Sequence, residues 1–193
     1  MSSLVFLSKI RALMWIRAVY DELKVNEKIW WVYPIRSWSG GKKSRLRGYF
    51  WCPPCFGGVK FNVSGMESEG EVGCGGVLRN SEEVVRAVFS GPSAARESSA
   101  VEMGAVCLAL EVFQEMGWMG SYSLIIEVGS SEVFCWIEDK GSRLWSLVSI
   151  FKGIEARVSS IGNVSFSKVD KQGNTMAFAL VSTGLKRQTM FKA

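Results

Sequence analysis

Val59-Lys60-Phe61-Asn62-Val63 places an apolar side chain at every second position, the pattern of a strand with one face buried and one face polar. Two further strands are read close behind it, a glycine-rich one at Gly73–Arg79 and another at Val84–Phe89 (VVRAVF). Ser81 to Glu83 between them suits a hairpin turn, so these three strands are predicted to form an antiparallel meander.

Downstream of the meander the period changes from two to three or four. Between Ser99 and Trp118, Val101, Ala105, Leu108, Val112 and Met116 recur at helical spacing, and Gly117 and Gly120 provide the stop. Ser123–Val128 (SLIIEV) is a short apolar run suited to a buried parallel strand. Helical stretches follow at Ser130–Asp139 and Leu144–Val158, a strand at Asn163–Val169 and a closing helix at Thr175–Leu185. The order β-β-β-α-β-α-α-β-α describes an α/β domain with a mixed five-stranded sheet, three antiparallel strands then two more, flanked by helices. No internal repeat is visible.

Upstream, residues 1–50 read differently. Leu4–Leu23 is predicted helical, Trp30 to Tyr33 forms an aromatic knot ended by Pro34, and Ser37–Gly48 (SWSGGKKSRLRG) has the composition of a linker. The chain is therefore divided into an extension at 1–50, a domain at 51–185 and a tail at 186–193.

Charge follows the same division. The whole chain of 193 residues carries +5. Residues 35–50 hold Arg36, Lys42, Lys43, Arg45 and Arg47 without an acid, whereas 51–193 holds 13 basic and 15 acidic side chains, a net −2. The basic cluster Lys42, Lys43, Arg45 and Arg47 has three readings: a phosphate-binding patch, a nuclear localisation signal or a solvated linker.

With hydrophobic residues at 48% and charged residues at 21%, a folded core is expected rather than disorder. The absence of histidine excludes Ser-His and Cys-His catalysis, a histidine general base and any zinc site that needs imidazole. Five scattered cysteines do not make a disulfide framework. Cys52-Pro53-Pro54-Cys55 is a Cys-x-x-Cys, but two prolines before a strand make a poor helix opening for a thiolate, and no second ligand pair stands at zinc-site spacing. Leu4 to Leu7 is too short for a secretory signal, and no 18-residue charge-free apolar stretch predicts a membrane span. An intracellular setting, nucleus or cytoplasm, is the expectation. The stretch Met1–Tyr20, with Lys9, Arg11, Arg17 and no acid, also leaves organelle import open.

Six local sequences in this order resemble the ribonuclease H-like domain common in plant genomes and often derived from reverse-transcriptase elements. They are Trp51-x-Pro53-Pro54; Val59 to Val63; Gly73-x-Gly75-Gly76-Val77-Leu78-Arg79; Ser99-x-x-Glu102; Glu127-x-x-Ser130; and Asn174 followed by Ala177-x-Ala179-Leu180. The resemblance implies an enzyme that cuts the RNA strand of RNA–DNA hybrids with two Mg²⁺ ions held by four carboxylates. Carried over position by position, it puts Ser64, Gly129 and Phe178 where aspartates are expected and retains only Glu102. A hydroxyl, a hydrogen atom and a benzyl group cannot replace the charge that attracts Mg²⁺, and Phe178 would bring an apolar ring towards the site.

Glu102 thus reads both as a lone surviving catalytic and metal ligand and as the glutamate of a capping box opened by Ser99. Displaced acids available for rescue are Glu127, on the strand parity of Gly129, Asp170, and Glu67, Glu69 and Glu71 in the loop after Ser64. The expected function is a catalytically silent domain that binds RNA–DNA hybrid or RNA, with no cofactor, or Mg²⁺ if activity is retained. The alternatives are an active hybrid ribonuclease using displaced ligands, and a non-catalytic interaction protein or retroelement relic. No protein partner is identified. Trp15, Trp30, Trp31, Trp136 and Trp145 are read as packing residues rather than base-stacking ones.

Overall fold

The computed structural model describes residues 51–93, 95 and 98–193. The predicted Leu4–Leu23 helix, the Trp30–Tyr33 knot, the basic cluster, Trp15, Trp30 and Trp31 lie outside the described residues.

The first hairpin is longer than its alternation suggests. Strand β1 (Gly58–Ser68) runs on past Ser64 and pairs antiparallel with β2 (Glu71–Asn80) up to Ser68↔Glu71. The connection therefore shrinks to Glu69-Gly70, both at positive φ (54° and 83°), as a two-residue hairpin turn with the twist of its strands requires. Glu67 and Glu71, expected in a loop, are strand residues.

The remaining order is β3 (Val85–Pro92), α1 (Ser98–Glu115), β4 (Ser123–Val128), α2 (Ser131–Glu138), two 3₁₀ turns at Lys140–Ser142 and Trp145–Leu147, α3 (Val148–Ile161), β5 (Val164–Lys168), α4 (Thr175–Gly184) and β6 (Phe191–Lys192). The sheet is ordered β5-β4-β1-β2-β3-β6. β1 pairs parallel with β4, and β4 parallel with β5; the other pairings are antiparallel. The mixed α/β sheet is thus as expected, but it has six strands. The segment assigned to a tail returns as β6 along β3, and a two-residue strand is too short to show a period in sequence.

Strand parity separates two faces. Val59, Phe61 and Val63 of β1, with Leu124, Ile126 and Val128 of β4, are fully buried in one cluster with Val101, Ala105, Val106, Ala109, Leu110 and Phe113 of α1. α3 adds Phe151, Ile154 and Ile161, and α2 adds Val133 and Trp136. Each large side chain so buried stabilises the fold by about 1.5–3 kcal/mol. α1 buries nearly its whole circumference, which explains why apolar residues recur more densely than a single stripe requires. Trp136 packs edge-on to Phe151, with ring centroids 6.3 Å apart. Trp145, expected to pack, is instead 87% exposed in the second 3₁₀ turn, ahead of α3. α4 covers the opposite face. It lies so close to the glycine-rich β2 that a Cβ on Gly75 would stand 2.8 Å from the Val181 nitrogen.

At Gly65, β1 touches the backbone of α1. A Cβ there would lie 2.5 Å from the Glu102 nitrogen and 2.8 Å from the Val101 carbonyl carbon. Backbone atoms cannot swing aside as a side chain would. Gly65→Ala is expected to lower unfolding free energy by about 1–3 kcal/mol through overpacking, read as a drop in the urea midpoint at unchanged slope.

Candidate functional site

Glu102 and Gly129 meet at the end of β4, beside β1, whose parallel pairing with β4 runs up to Asn62↔Glu127, two residues before Ser64. Glu102 projects from the first turns of α1 and is only 6% exposed. Its Oε1 accepts from the backbone N–H of Gly129 at 2.6 Å and of Ser130 at 3.2 Å. Ser130 in turn is the N-cap of α2, its side chain accepting from Val133 N–H at 3.3 Å. The capping-box expectation is corrected. Ser99 lies inside the helix α1 (Ser98–Glu115), and the Glu102 carboxylate serves the start of α2 rather than of its own helix.

Asn174, the N-cap of α4, closes the group. Its Nδ2 donates to the Val63 carbonyl at 2.9 Å, next to Ser64, while its Oδ1 is buried with no partner among the described residues. A Cβ added to Gly129 would stand 3.5 Å from Asn174 Nδ2 and 3.8 Å from Glu102 Oε1, which is ordinary contact. Gly129 is thus an opening where a side chain fits between the amide and the carboxylate. Ser64 is buried at 9% exposure. Phe178, one turn into α4, is 47% exposed and does not seal the site.

Electrostatically the site holds one carboxyl group in a nearly dry place. Burial pushes the Glu102 carboxyl above its usual range, and the two backbone N–H donors, Ser130 and Gly129, pull it part of the way back. Among the described residues no group of three or more Cys, Asp or Glu side chains stands close enough to share a metal ion.

The candidate replacement acids join no metal-sized cluster among the described residues. Glu67, Glu69, Glu71 and Asp170 are exposed. Glu127 is buried but engaged: Oε1 pairs with Lys60 Nζ at 2.8 Å, and Oε2 accepts from Asn62 Nδ2 at 2.8 Å. Asn62 Oδ1 accepts from Arg79 at 2.7 Å, and the guanidinium carbon lies 3.6 Å from the Trp51 ring centroid. Lys60 also donates to the Cys52 carbonyl at 2.8 Å. Burial lowers the Arg79 pKa, and Glu127, then Glu83, oppose the shift. This five-residue network was not foreseen. Its signal was present in the alternation that puts Lys60, Asn62 and Ser64 on one face, because polar residues on a covered face must pair.

Residues 60–184 match the family described as reverse transcriptase-like. Among solved structures, the fold is similar to RNase H1 from the halophilic archaeon Halobacterium salinarum NRC-1, at 18% identity over 67% of this chain and 98% of that one, with a TM-score of 0.55. LC11-RNase H1, isolated from compost by a metagenomic approach, aligns at 16% identity over 67% and 96% of the two chains with a TM-score of 0.62. The structure of LC11-RNase H1 in complex with an RNA/DNA hybrid aligns at 17% identity over 66% and 96%, with a TM-score of 0.60. Identities this low establish the fold alone. A comparison with curated proteins found no match.

The Glu102 geometry generates a signed expectation. A carboxyl whose folded pKa is raised contributes stability that is full below its unfolded value, about pH 4, and fades as pH rises through the folded value. Glu102→Gln keeps an acceptor for both N–H groups and cannot ionise. Urea unfolding of this variant should give a midpoint at or above wild type at neutral pH, the gain disappearing in acid. Glu102→Ala should instead lose about 1–2 kcal/mol, more in acid than at neutral pH, since it leaves two part-buried donors without an acceptor.

Proposed function

From the premise that this chain belongs to the reverse transcriptase-like family, with the ribonuclease H fold, we propose that it is a non-cleaving member that retains binding to RNA–DNA hybrid or RNA. One observation carries the reading. The single carboxylate among the four aligned positions already has its Oε1 committed to two backbone N–H groups.

Mg²⁺ requires near-octahedral oxygen ligation, normally with carboxylates supplying the charge. Against that requirement Ser64 offers a neutral hydroxyl, Gly129 and Phe178 offer nothing, and Glu102 favours its protonated form more than an exposed glutamate does. These residues do not fit a pair of Mg²⁺ ions, so no hydrolytic step is derived for them. The reading with displaced ligands is weakened by Glu127, whose two oxygens are held by Lys60 and Asn62. Freeing that carboxylate would take the counter-charge from Lys60, whose side chain is 12% exposed, which is costly.

Retained binding rests on charge. Loss of three carboxylates removes repulsion between the site and a phosphate backbone, and Lys42, Lys43, Arg45 and Arg47 supply the phosphate contacts. The protein is then a reader of duplex shape and backbone rather than a cutter.

Two measurements test the proposal. Labelled hybrid should bind at low salt and remain intact with Mg²⁺ or Mn²⁺, and replacing the four basic residues by alanine should reduce the log–log salt slope by about 3 to 4. Cleavage that Glu102→Gln abolishes would overturn the silent-site half; failure to bind at low salt would overturn the binding half. Independently, Ser64→Asp, Gly129→Asp and Phe178→Asp in one chain should create Mg²⁺ binding measurable by calorimetry. A folded triple variant that takes up no metal would mean that the four positions do not form one site.

A further inference from the structure

Arg79 is a buried cation without a carboxylate of its own. At 8% exposure it makes no ion pair among the described residues: Nη2 donates to Asn62 Oδ1 at 2.7 Å, and Nη1 meets only the Met176 thioether, a weak acceptor, at 3.4 Å. Its Nε–H has no acceptor among the described residues, and neither has the indole N–H of Trp51, although both nitrogens are shut off from solvent. The guanidinium carbon lies 3.6 Å from the Trp51 ring centroid, so the two orphaned donors stand side by side. Buried polar groups are seldom left in this state, and each calls for a partner. Charge gives the same indication. Lys60 and Arg79 share one acid, Glu127, whose oxygens are taken by Lys60 and Asn62, which leaves the buried network one positive charge in excess. Glu83, the other carboxylate that acts on Arg79, is exposed beyond the end of β2.

We propose that Arg79 and Trp51 form a binding site for one phosphodiester group of a nucleic-acid strand; the source of that group rests on the hybrid- or RNA-binding reading above. One phosphate oxygen accepts from the Arg79 Nε–H and another from the Trp51 indole N–H, and a guanidinium is the side chain whose fixed fork of donors suits a phosphate best. A phosphodiester carries a single negative charge, which matches the single positive charge that the network has in excess. Entry is past Met176, whose unbranched side chain is 43% exposed and can swing aside. An anionic oxygen arriving there is a far stronger acceptor for Nη1 than the sulfur it displaces. The first turn of α4, on which Met176 stands, carries no acid to repel the ligand.

The test titrates the full chain with dimethyl phosphate, a phosphodiester monoanion, while heteronuclear NMR follows the Arg79 Nε–H and Trp51 indole N–H signals, assigned by their loss in Arg79→Lys and Trp51→Phe. Both signals should move saturably, and sodium chloride at equal ionic strength should leave them in place. Trp51→Phe keeps a ring over Arg79 but removes the indole donor, and should weaken dimethyl phosphate binding about three- to tenfold, read from the Arg79 signal. No saturable shift, or the same shift with chloride, would overturn the proposal. RNA–DNA hybrid and single-stranded RNA are then added in place of the small anion. Nucleic acid that binds and leaves both signals unmoved would overturn the phosphodiester site while the binding reading stands. A chain that takes dimethyl phosphate at these two groups but neither nucleic acid would support the site and overturn the binding reading.

Discussion

A single buried carboxylate without a counter-charge holds this fold together where its elements converge. Glu102 reaches from α1 to the junction between β4 and α2, where its Oε1 accepts from two backbone N–H groups. The close approach that brings it there depends on Gly65, whose missing side chain lets β1 lie against the α1 backbone. Asn174 ties α4 into the same corner through the Val63 carbonyl. One carboxylate and one amide thereby fix the relative placement of two strands and three helix starts. Protein hydrogen bonds carry the connection between these elements.

The second polar group, Lys60, Glu127, Asn62, Arg79 and Trp51, shows why a nearby acid is not an available acid. Glu127 is two residues from Gly129 on the same strand face, and proximity in sequence makes it a natural substitute ligand. Pairing settles its state more firmly than proximity does. A carboxylate at 8% exposure with Lys60 on one oxygen and Asn62 on the other is part of the sheet's internal wiring. The Trp51 ring over Arg79 adds a cation–π contact.

Much of the architecture was legible because β1 and α1 carry clear periods and β4 is a bounded apolar run. The six local motifs ordered the strands and helices correctly, and the run SLIIEV gave β4 its limits, Ser123–Val128. Features decided by tertiary contact were not legible. β6 has too few residues to show a pattern, and only the β3 edge makes it a strand. Trp145 reads as apolar and therefore interior, yet a 3₁₀ turn leaves it in solvent. Of the positions singled out in sequence, Glu102 and Gly129 are joined by a hydrogen bond between separate elements. A capping box and a cross-element clasp use the same residue type, and local spacing cannot separate them.

The placement of β6 also bears on the order in which the chain folds. β1 and β2 close through a two-residue turn, and β3 follows directly, so the meander needs only local contacts. The strand that covers the outer edge of β3 lies about a hundred residues further along, and contacts of that separation form late. Through synthesis and early folding, β3 therefore presents bare backbone donors and acceptors while the rest of the sheet assembles. That interval, more than the finished molecule, is when crowded nascent chains would pair edge to edge, and it makes the speed of β6 arrival a determinant of yield.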